Sequence, residues 1–352
     1  MTLTLNIIEP EEVTQYPYMM AKESKAHGLV SKIFPKPKKF DYFVTFGSSE
    51  YPNLKTGTCG YSENVQVSEE DRVSEESRVS EEEKDGSTLC PSDHVPIYMD
   101  YTFEEVNIRI ISWNIQYFLS NQENNISRVL QELTEGKDNF IILLQETKKK
   151  KTKDDNKVEN LLKKLNNGQS DNKISLKKNS FQATLYRFSE SHSVLGDHNI
   201  KRCLKLDICQ ELDSNPSGEE EKYSSLMLIF KFTGAKLLVI NNVHLVSPGT
   251  SFKDISRFNE FNHILQRNVV LLKDEHFKEP KDYEIVLGGD MNTDKFRDIL
   301  INNLESLESS YLFKSMALGG NTKKKKIKRK KRIGLNKKTS RKLRSKSKHL
   351  RK

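Results

Sequence analysis

Hydrophobic and polar positions between residues 106 and 304 follow two alternating patterns. Val106–Ile115 is a β-branched run with alternating faces, which predicts a strand. Phe140–Leu144 is short, wholly apolar and bounded by polar residues, a pattern typical of a strand buried on both faces. The predicted strands are Val106–Ile115, Phe140–Leu144, Leu226–Phe232, Ala235–Val246 and Tyr283–Leu287.

Apolar residues three and four positions apart predict helices between these strands. The predicted helices are Ile126–Leu133, Val158–Leu165, Phe258–Asp274 and Lys295–Leu304. Strands that alternate with helices, together with extended pairs such as the one turning at Thr233–Gly234, indicate an α/β architecture.

Two polar stretches interrupt this order. Val67–Lys84 consists of three tandem six-residue units, each with a single valine, and such short units cannot bury a face as a solenoid repeat does. We interpret it as an acidic insert, flexible or transiently helical, without a catalytic role. Lys148–Ser180 is rich in Asn, Asp and Lys and contains one helix candidate.

The charge of the 352-residue chain is unevenly distributed. Its formal net charge is +9, but residues 323–352 contain 18 Lys and Arg and no Asp or Glu, which leaves 40 basic and 49 acidic residues in positions 1–322, a net charge of −9. A cationic tail of this kind is typically a solvated interaction segment, and a nucleic-acid arm, a nuclear-import signal and a site for an acidic partner all remain open.

Several classes of protein are excluded as working hypotheses. No window approaches the roughly 18 apolar residues of a membrane span, and the first residues lack the basic start and apolar run of a secretory signal. The four cysteines, Cys59, Cys90, Cys203 and Cys209, show neither a C-x-x-C pair nor zinc-ligand spacing. We therefore expect reduced cysteines in a cytoplasmic or nuclear protein, and no transmembrane segment, secreted disulfide scaffold or zinc finger.

Polar residues of one chemical type follow four of the predicted strands. Asn114 ends the first strand, Gln145-Glu146-Thr147 ends the second, His244 lies late in Ala235–Val246, and Asp290-Met291-Asn292 follows Tyr283–Leu287. Such residues can converge at one edge of a sheet, where open α/β folds bind ligands. Oxygen ligands without cysteine suit a hard cation such as Mg²⁺.

The motifs W-N-I, L-Q-E-T, V-H-L and G-G-D-M-N-T, in this order, resemble the endonuclease/exonuclease/phosphatase superfamily of Mg²⁺-dependent phosphoesterases. The resemblance covers Val106 to Leu304 and implies a four-layer α/β/β/α sandwich of two mixed sheets. It leaves the subfamily open, because Q-E-T-K and H-L point to different groups. Gln116, two residues after Asn114, departs from several DNA-repair members and leaves the number of metal ions open.

The family's closing motifs stand at the front of this chain. A D-Y-[IF] strand and an S-D-H triplet normally come last, whereas here Phe40–Val44 and Pro91–Ile97 match them. We interpret this order as a circular permutation that joins the family's last strand to its first, its antiparallel neighbour, through a hairpin at Phe103–Glu105. The predicted domains are an uncharacterised segment 1–32, a permuted catalytic domain 33–318 (33–104 followed by 105–318) and a disordered tail 319–352.

Three other interpretations of the front motifs remain open. Residues 33–104 could be the remnant of a preceding domain, the S-D-H triplet could act across a dimer, or the triplet could match by chance. The surrounding Phe40–Val44 and Pro91–Ile97 contexts argue against chance.

The resemblance implies roles for the residues at the strand ends. Glu146 would be the main Mg²⁺ ligand, with Mn²⁺ as a substitute, and Asn114 beside it would hold metal or phosphate. Asp93 would lie near the metal or Asp290. Asp290 would orient or deprotonate the attacking water, and Asn292 would share that edge.

The two histidines would act on the phosphate. His94 would donate to a phosphate oxygen as charge builds, and Asp41 would accept from the other ring nitrogen and fix the tautomer. His244 would add a second donor, although a buried strand histidine without a catalytic role fits the sequence nearly as well.

These features favour a metal-dependent nuclease or nucleic-acid phosphodiesterase. An inositol-phosphate or phospholipid-headgroup phosphatase, with the tail on an anionic membrane, is the enzymatic alternative. A degenerate scaffold that binds polyanions is the non-enzymatic one. In each case the predicted polyanion-binding residues are Lys323, Lys324, Lys325, Lys326, Lys328, Arg329, Lys330, Lys331 and Arg332.

Overall fold

The computed structural model describes residues 3–10, 39–47, 54–57, 92, 94–116, 123–148, 156–167, 173–189, 191–202, 223–234, 236–246, 254–274, 283–303 and 313–317. Within these ranges the chain forms thirteen strands and four helices. The strands are β1 (Leu3–Ile8), β2 (Asp41–Phe46), β3 (Leu54–Thr56), β4 (Ile97–Phe103), β5 (Val106–Asn114), β6 (Phe140–Gln145), β7 (Ser175–Lys178), β8 (Gln182–Arg187), β9 (Ser193–Lys201), β10 (Tyr223–Lys231), β11 (Leu237–His244), β12 (Tyr283–Asp290) and β13 (Phe313–Ala317). The helices are α1 (Glu123–Thr134), α2 (Lys157–Leu165), α3 (Asp254–Asp274) and α4 (Phe296–Asn302).

The strands form two mixed sheets. One has the order β13-β1-β2-β12-β11-β10-β9, and the other has the order β3-β4-β5-β6-β8-β7. A parallel pair lies inside each sheet, β11 with β12 in the first and β5 with β6 in the second. The strands next to these pairs, β2, β10, β4 and β8, run antiparallel to them.

Three apolar clusters show how the sheets and helices are layered. One cluster joins α1 and α2 to the six-stranded sheet, and a second joins α3 and α4 to the seven-stranded sheet. The third contains side chains from both sheets and fills the space between them. The architecture is therefore a four-layer α/β/β/α sandwich of two mixed sheets, which confirms the predicted fold class.

The central strand β6 shows why its sequence is apolar throughout. Phe140, Ile142 and Leu144 pack in the cluster with α1 and α2, whereas Ile141 and Leu143 point between the two sheets. Successive side chains of a strand point to opposite faces, so a strand covered on both faces needs an apolar residue at every position.

The predicted strands and helices are all present where they fall on described residues. The predicted helix Lys295–Leu304 is longer than the observed α4, and Leu304 lies outside the described residues. Strands β1, β3, β7, β8, β9 and β13 were not predicted. Strands β7 and β9 lie at sheet edges and carry many exposed positions, so they show little apolar pattern.

Two of the unpredicted strands, β1 and β13, lie side by side at one edge of the seven-stranded sheet, although they come from opposite ends of the described chain. Strand β1 pairs in parallel with β13 and antiparallel with β2. The sheet therefore begins before residue 33, where the sequence predicted the start of the domain.

The predicted joint between the front and rear halves is a tight hairpin. Strands β4 and β5 pair antiparallel along their whole length, from Ile97 opposite Ser112 to Phe103 opposite Val106. The turn residue Glu104 has a φ of 52°, the positive value that two-residue hairpin turns require. The last strand of the front half and the first strand of the rear half are thus neighbours in the six-stranded sheet.

Some sequence predictions fall outside the described residues. These are Asp93, the repeat at 67–84, the four cysteines and the basic tail from Lys323 onward. None of the helices in the described part of the chain combines the length and apolar character needed to cross a lipid bilayer.

Candidate functional site

The parallel strand pairs bring four polar side chains to one edge of the sandwich. In the six-stranded sheet Asn114 lies opposite Gln145, so that Glu146 follows immediately at the strand end. In the seven-stranded sheet His244 lies opposite Asp290. Because the carboxyl ends of parallel strands meet at the same edge, each sheet supplies two neighbouring polar groups.

Antiparallel pairing adds residues from the front of the chain. Strand β2 begins where β12 ends, and Asp41 lies opposite Asp290 in the register. His94 precedes β4, whose first residue Ile97 lies opposite Ser112 near the end of β5. The two sheets therefore place Asp41 and His94 beside Asp290 and Asn114, as the sequence analysis expected.

Asp290 lies at the centre of this cluster. Asn114 Nδ2 donates to Asp290 Oδ2 over 2.9 Å, and the Nε2 atoms of His94 and His244 each lie 3.9 Å from the same oxygen. His244 Nε2 is 3.3 Å from Glu146 Oε1. His244 thus lies between the carboxylates of Glu146 and Asp290, which belong to different sheets.

His94 and Asp41 form a buried pair. His94 Nδ1 lies 2.9 Å from Asp41 Oδ2, and the two side chains are 4 % and 0 % exposed. A carboxylate at this distance accepts from Nδ1–H and leaves Nε2 directed toward Asp290.

Backbone and side-chain contacts fix the loop that carries His94. The indole Nε1 of the buried Trp113 donates to the carbonyl oxygen of His94 over 2.8 Å. The Ser92 hydroxyl donates to Asn114 O over 2.6 Å and accepts from the His94 amide over 3.1 Å. Ser92 therefore ties the triplet to the end of β5, a positioning role that the sequence did not suggest.

The residues of the cleft differ in their exposure to solvent. Asn114, Asp290, Asp41 and His94 are buried, whereas the side chains of Glu146 and His244 retain 18 % and 15 % exposure. A ligand or ion from solvent therefore meets Glu146 and His244 first.

The protonation of the two carboxylates differs with their surroundings. Burial raises the pKa of Asp290 to about 6, and the nearby Asp41 adds to the shift, against the opposing effects of His94, His244 and Asn114. Burial also raises the pKa of Glu146, but His244, His94 and Asn114 together outweigh it and hold that pKa below its usual value. Glu146 is thus the more readily ionised of the two.

Strained backbone accompanies the site. Glu146, Asn292 and Gln116 have φ values of 54°, 53° and 46°, in the left-handed region that costs a non-glycine residue roughly 1 kcal/mol or more. At Asn292 the strain is offset by bonds: its amide donates to Asp290 Oδ1 over 2.7 Å and its Nδ2 donates to Leu245 O over 2.9 Å. Asn292 therefore orients Asp290 and ties β12 to the end of β11.

The two glycines before Asp290 are required by close packing. A Cβ on Gly289 would lie 1.8 Å from the Val243 carbonyl oxygen, and one on Gly288 would lie 2.3 Å from Cε1 of Phe43. Only glycine lets β12 approach β11 and β2 this closely, which explains the G-G-D sequence at the strand end.

A network of buried amides connects the two sheets directly behind the site. Gln145 Nε2 donates to Asn242 Oδ1 over 2.8 Å, and Asn242 Nδ2 donates to the carbonyl oxygens of Leu144 and Ala183. Gln182 Nε2 in turn donates to Asn242 O over 2.9 Å. Gln145 and Asn242 precede Glu146 and His244 in sequence, so the network sets the spacing of those two side chains.

A partly buried ion pair lies beside His244. Glu260 on α3, fully buried, accepts from Arg202 Nε over 2.6 Å and from the Val246 amide over 2.9 Å, while Arg202 Nη2 donates to His244 O over 2.8 Å. No sequence signal identified this pair, since Arg202 and Glu260 are separated by 58 positions.

Comparison with known proteins gave structural likenesses only. Neither a protein-family model nor a curated protein matches the chain. A crystal structure of humanized TDP2 from D. rerio is 20 % identical, with 55 % of this chain and 69 % of that chain covered and a TM-score of 0.34. D. rerio TDP2 complexed with single-strand DNA product is 18 % identical, with 55 % and 63 % covered and a TM-score of 0.33. The human nocturnin catalytic domain with bound sulfate is 12 % identical, with 57 % and 70 % covered and a TM-score of 0.34.

Proposed function

We propose that this protein is a Mg²⁺-dependent phosphoesterase that hydrolyses phosphodiesters of nucleic acid. The observation that carries the proposal is the convergence of Asp41 and His94, from the front of the chain, with Asn114, Glu146 and Asp290 in one cleft. Hydrolysis of a phosphodiester needs groups that bind a cation, groups that position a water and groups that stabilise the developing charge. The carboxylates, the amide and the imidazole of this cleft are residue types that can perform these tasks.

The donor set fits a small divalent cation. One ligand atom each from Glu146, His244 and Asp290 lies within 4.8 Å of the others. His244 Nε2 lies 3.3 Å from Glu146 Oε1 and 3.9 Å from Asp290 Oδ2, so the three groups are close enough to face one cation. Glu146 and Asn114 would hold the ion, with Mg²⁺ or Mn²⁺ favoured by their oxygens, and Asp93 remains a further candidate ligand.

The side chains around the cation position divide the remaining tasks. When bound, the cation supplies positive charge against the phosphate oxygens. Asp290, whose raised pKa suits a proton acceptor near neutrality, orients and deprotonates the attacking water. Asn292 holds the Asp290 carboxylate in place through its backbone amide. His94 donates from Nε2 to a phosphate oxygen, and the Asp41 carboxylate stabilises the imidazolium from Nδ1.

The sequence left two roles open for His244, a second donor to the phosphate and a buried strand histidine. Its Nε2 lies nearest to the Glu146 carboxylate, at 3.3 Å, and its ring is partly exposed at the mouth of the cleft. This supports a role at the boundary between the cation position and the phosphate, as ligand or donor, over that of a buried strand histidine.

We also propose that one chain suffices and that its motif order is a circular permutation of the phosphoesterase family. The support is the β4–β5 hairpin at Glu104, which joins the last strand of the front half to the first strand of the rear half, and the 2.9 Å contact between Asp41 and His94 beside Asp290. A site completed across a dimer would leave these intramolecular contacts unused.

Nucleic acid is the substrate class that the charges favour. The acidic body of residues 1–322 would repel a polyanion, and the Lys/Arg-rich tail offsets this repulsion through phosphate contacts. The tail residues Lys323–Arg332 would supply capture and the cleft would supply hydrolysis.

A substrate panel tests the proposal. Single-stranded DNA, RNA and a phosphoinositide are incubated with the purified chain, with Mg²⁺, with Mn²⁺ and with a chelator. We expect hydrolysis of nucleic acid that requires the cation and falls by 10²-fold or more in Glu146→Gln and His94→Gln. Glu132→Gln on the exposed side of α1 and His198→Gln on β9 are matched controls that should keep wild-type activity.

Three results would contradict the proposal. Full activity in Glu146→Gln or His94→Gln would remove the assigned site. Hydrolysis of the phosphoinositide alone would replace nucleic acid by the inositol-phosphate alternative. Binding of polyanions without hydrolysis under all conditions would favour the non-enzymatic scaffold.

A further inference from the structure

A groove lined by lysines adjoins the candidate site. It encloses about 340 Å³ and is lined by Thr147, Lys148, Lys157, Val158, Lys178, Asn179 and Ser180. We call it the lysine groove after Lys148, Lys157 and Lys178. Thr147 directly follows Glu146, so one wall of the groove continues the strand that carries the proposed cation ligand.

The charge of the groove is opposite to that of the body. Its lysines come from three separate segments: the end of β6, the first turn of α2 and the end of β7. Among the described residues that line it, none is acidic. Glu159 on α2 pairs with Lys178 and reduces the local charge. In a body with a net charge of −9 over residues 1–322, this groove is a local site for an anion.

Hydrogen bonds within and between the segments that line the groove fix its shape. The Thr147 amide donates to Phe181 O over 3.0 Å, which fastens the end of β6 to the β7–β8 turn. Within that turn Asn179 Oδ1 accepts from the amides of Phe181 and Gln182, each over 2.9 Å. A preformed anion site loses less entropy on binding than a flexible one.

The groove begins close to the proposed cation ligand. Lys148 is two residues beyond Glu146, so their Cα atoms are at most about 7 Å apart. The flexible four-carbon stem of a lysine extends the reach of its charge beyond its Cα atom. A strand with one phosphate at Glu146 could therefore place another phosphate within reach of the groove.

We infer that the lysine groove binds the phosphodiester backbone of the nucleic-acid strand next to the phosphate that is hydrolysed. The inference rests on the proposed function and adds the direction in which the strand leaves the cleft. Lysines contact phosphate as point charges. Among the described residues, no aromatic side chain lines the groove, so we expect the groove to contact the backbone and not to stack on bases. Binding there is independent of base sequence.

The experiment compares charge-removing variants in the full chain. Lys157→Ala/Lys178→Ala removes two groove lysines, and Lys148 is left in place because it is close to Glu146. For a single strand, each phosphate contact contributes about 0.7 to the slope of log affinity against log salt concentration, because counterions are released. Loss of one contact therefore lowers the affinity about fivefold at roughly 0.1 M salt. We therefore expect kcat/KM on a single-stranded oligonucleotide, relative to that on a small phosphodiester, to fall about 25-fold. The salt dependence of kcat/KM on the oligonucleotide should become shallower by about 1.4.

Two further variants separate loss of charge from loss of structure. Lys163→Ala/Lys173→Ala removes two exposed lysines outside the groove, one on α2 itself, and should stay within twofold of wild type on both substrates. Lys157→Arg/Lys178→Arg retains both charges and should restore most of the preference for the oligonucleotide. A loss shared by the arginine variant would contradict a charge contact with the backbone.

The outcome for the groove can be told apart from the outcome for the proposed function. If wild type hydrolyses no phosphodiester, the proposed function fails, and the groove is then judged by the salt dependence of oligonucleotide affinity measured by fluorescence anisotropy. If wild type is active but Lys157→Ala/Lys178→Ala keeps its substrate preference and salt slope, the groove inference is overturned and the site stands.

Discussion

The buried Asn242 is the residue whose replacement tests the amide network most directly. Asn242→Leu keeps nearly the same volume but removes three side-chain hydrogen bonds: from Gln145 Nε2, and to the carbonyl oxygens of Leu144 and Ala183. Each such bond contributes about 1 kcal/mol net. Since Asn242 is fully buried and water cannot replace the lost partners, we expect the free energy of unfolding to fall by about 3 kcal/mol.

Urea unfolding followed by circular dichroism measures this difference. The midpoint should decrease at an unchanged slope, because the variant exposes the same surface on unfolding. Asn107→Leu is a suitable control, since Asn107 is exposed on β5 and its replacement should change the free energy by less than about 0.5 kcal/mol. A loss below about 1 kcal/mol in Asn242→Leu would refute the idea that the network stabilises the contact between the sheets.

Three further changes probe the site and the tail. Asp41→Asn removes the charge that holds His94 Nδ1, so kcat on a small phosphodiester should fall about 10²-fold, and an unchanged kcat would contradict the pair. Asp290→Asn should stabilise the metal-free protein by up to about 3 kcal/mol above pH 6, because the raised pKa of about 6 makes the ionised carboxylate unfavourable in the fold. Urea unfolding in chelator should show the gain decline as the pH falls and vanish below about pH 3, where the carboxyl is protonated in both states, and a gain independent of pH would contradict the prediction. Truncation after Leu318 should weaken nucleic-acid binding and flatten its salt dependence while hydrolysis of a small phosphodiester persists, and equal salt slopes with and without the tail would contradict the capture role.

The apolar strands were predictable because burial on both faces leaves a strong pattern. Phe140–Leu144 contacts α1 and α2 with one set of side chains and the seven-stranded sheet with the other, so every position had to be apolar. The polar residues that interrupt or end such runs, Asn114, Glu146 and Asp290, were conspicuous for the same reason.

The supporting contacts could not be predicted from the sequence in the same way. Gln145 and Asn242 meet across two sheets and 97 positions, and their bond depends on how the sheets stack. A single amide in an apolar strand has the same appearance whether it faces solvent, a helix or another amide. Ser92 and Arg202 escaped notice because each acts through backbone atoms of another segment, which carry no sequence signal.

Strand pairing explains why the order of motifs along the chain does not matter for the site. Asp41 lies opposite Asp290 because β2 runs antiparallel to β12, and this register would be the same whichever strand came first in sequence. The buried carboxylates and the left-handed residues Glu146 and Asn292 are costly, and they persist because glycine packing and the amide network hold the strand ends in place. The surroundings of the cleft therefore bear on the proposed chemistry. A sheet that relaxed enough to admit water would reduce the burial that raises the pKa of Asp290, and that pKa would fall toward the value of an ordinary carboxyl. The proposed proton acceptor would then be a weaker base near neutrality.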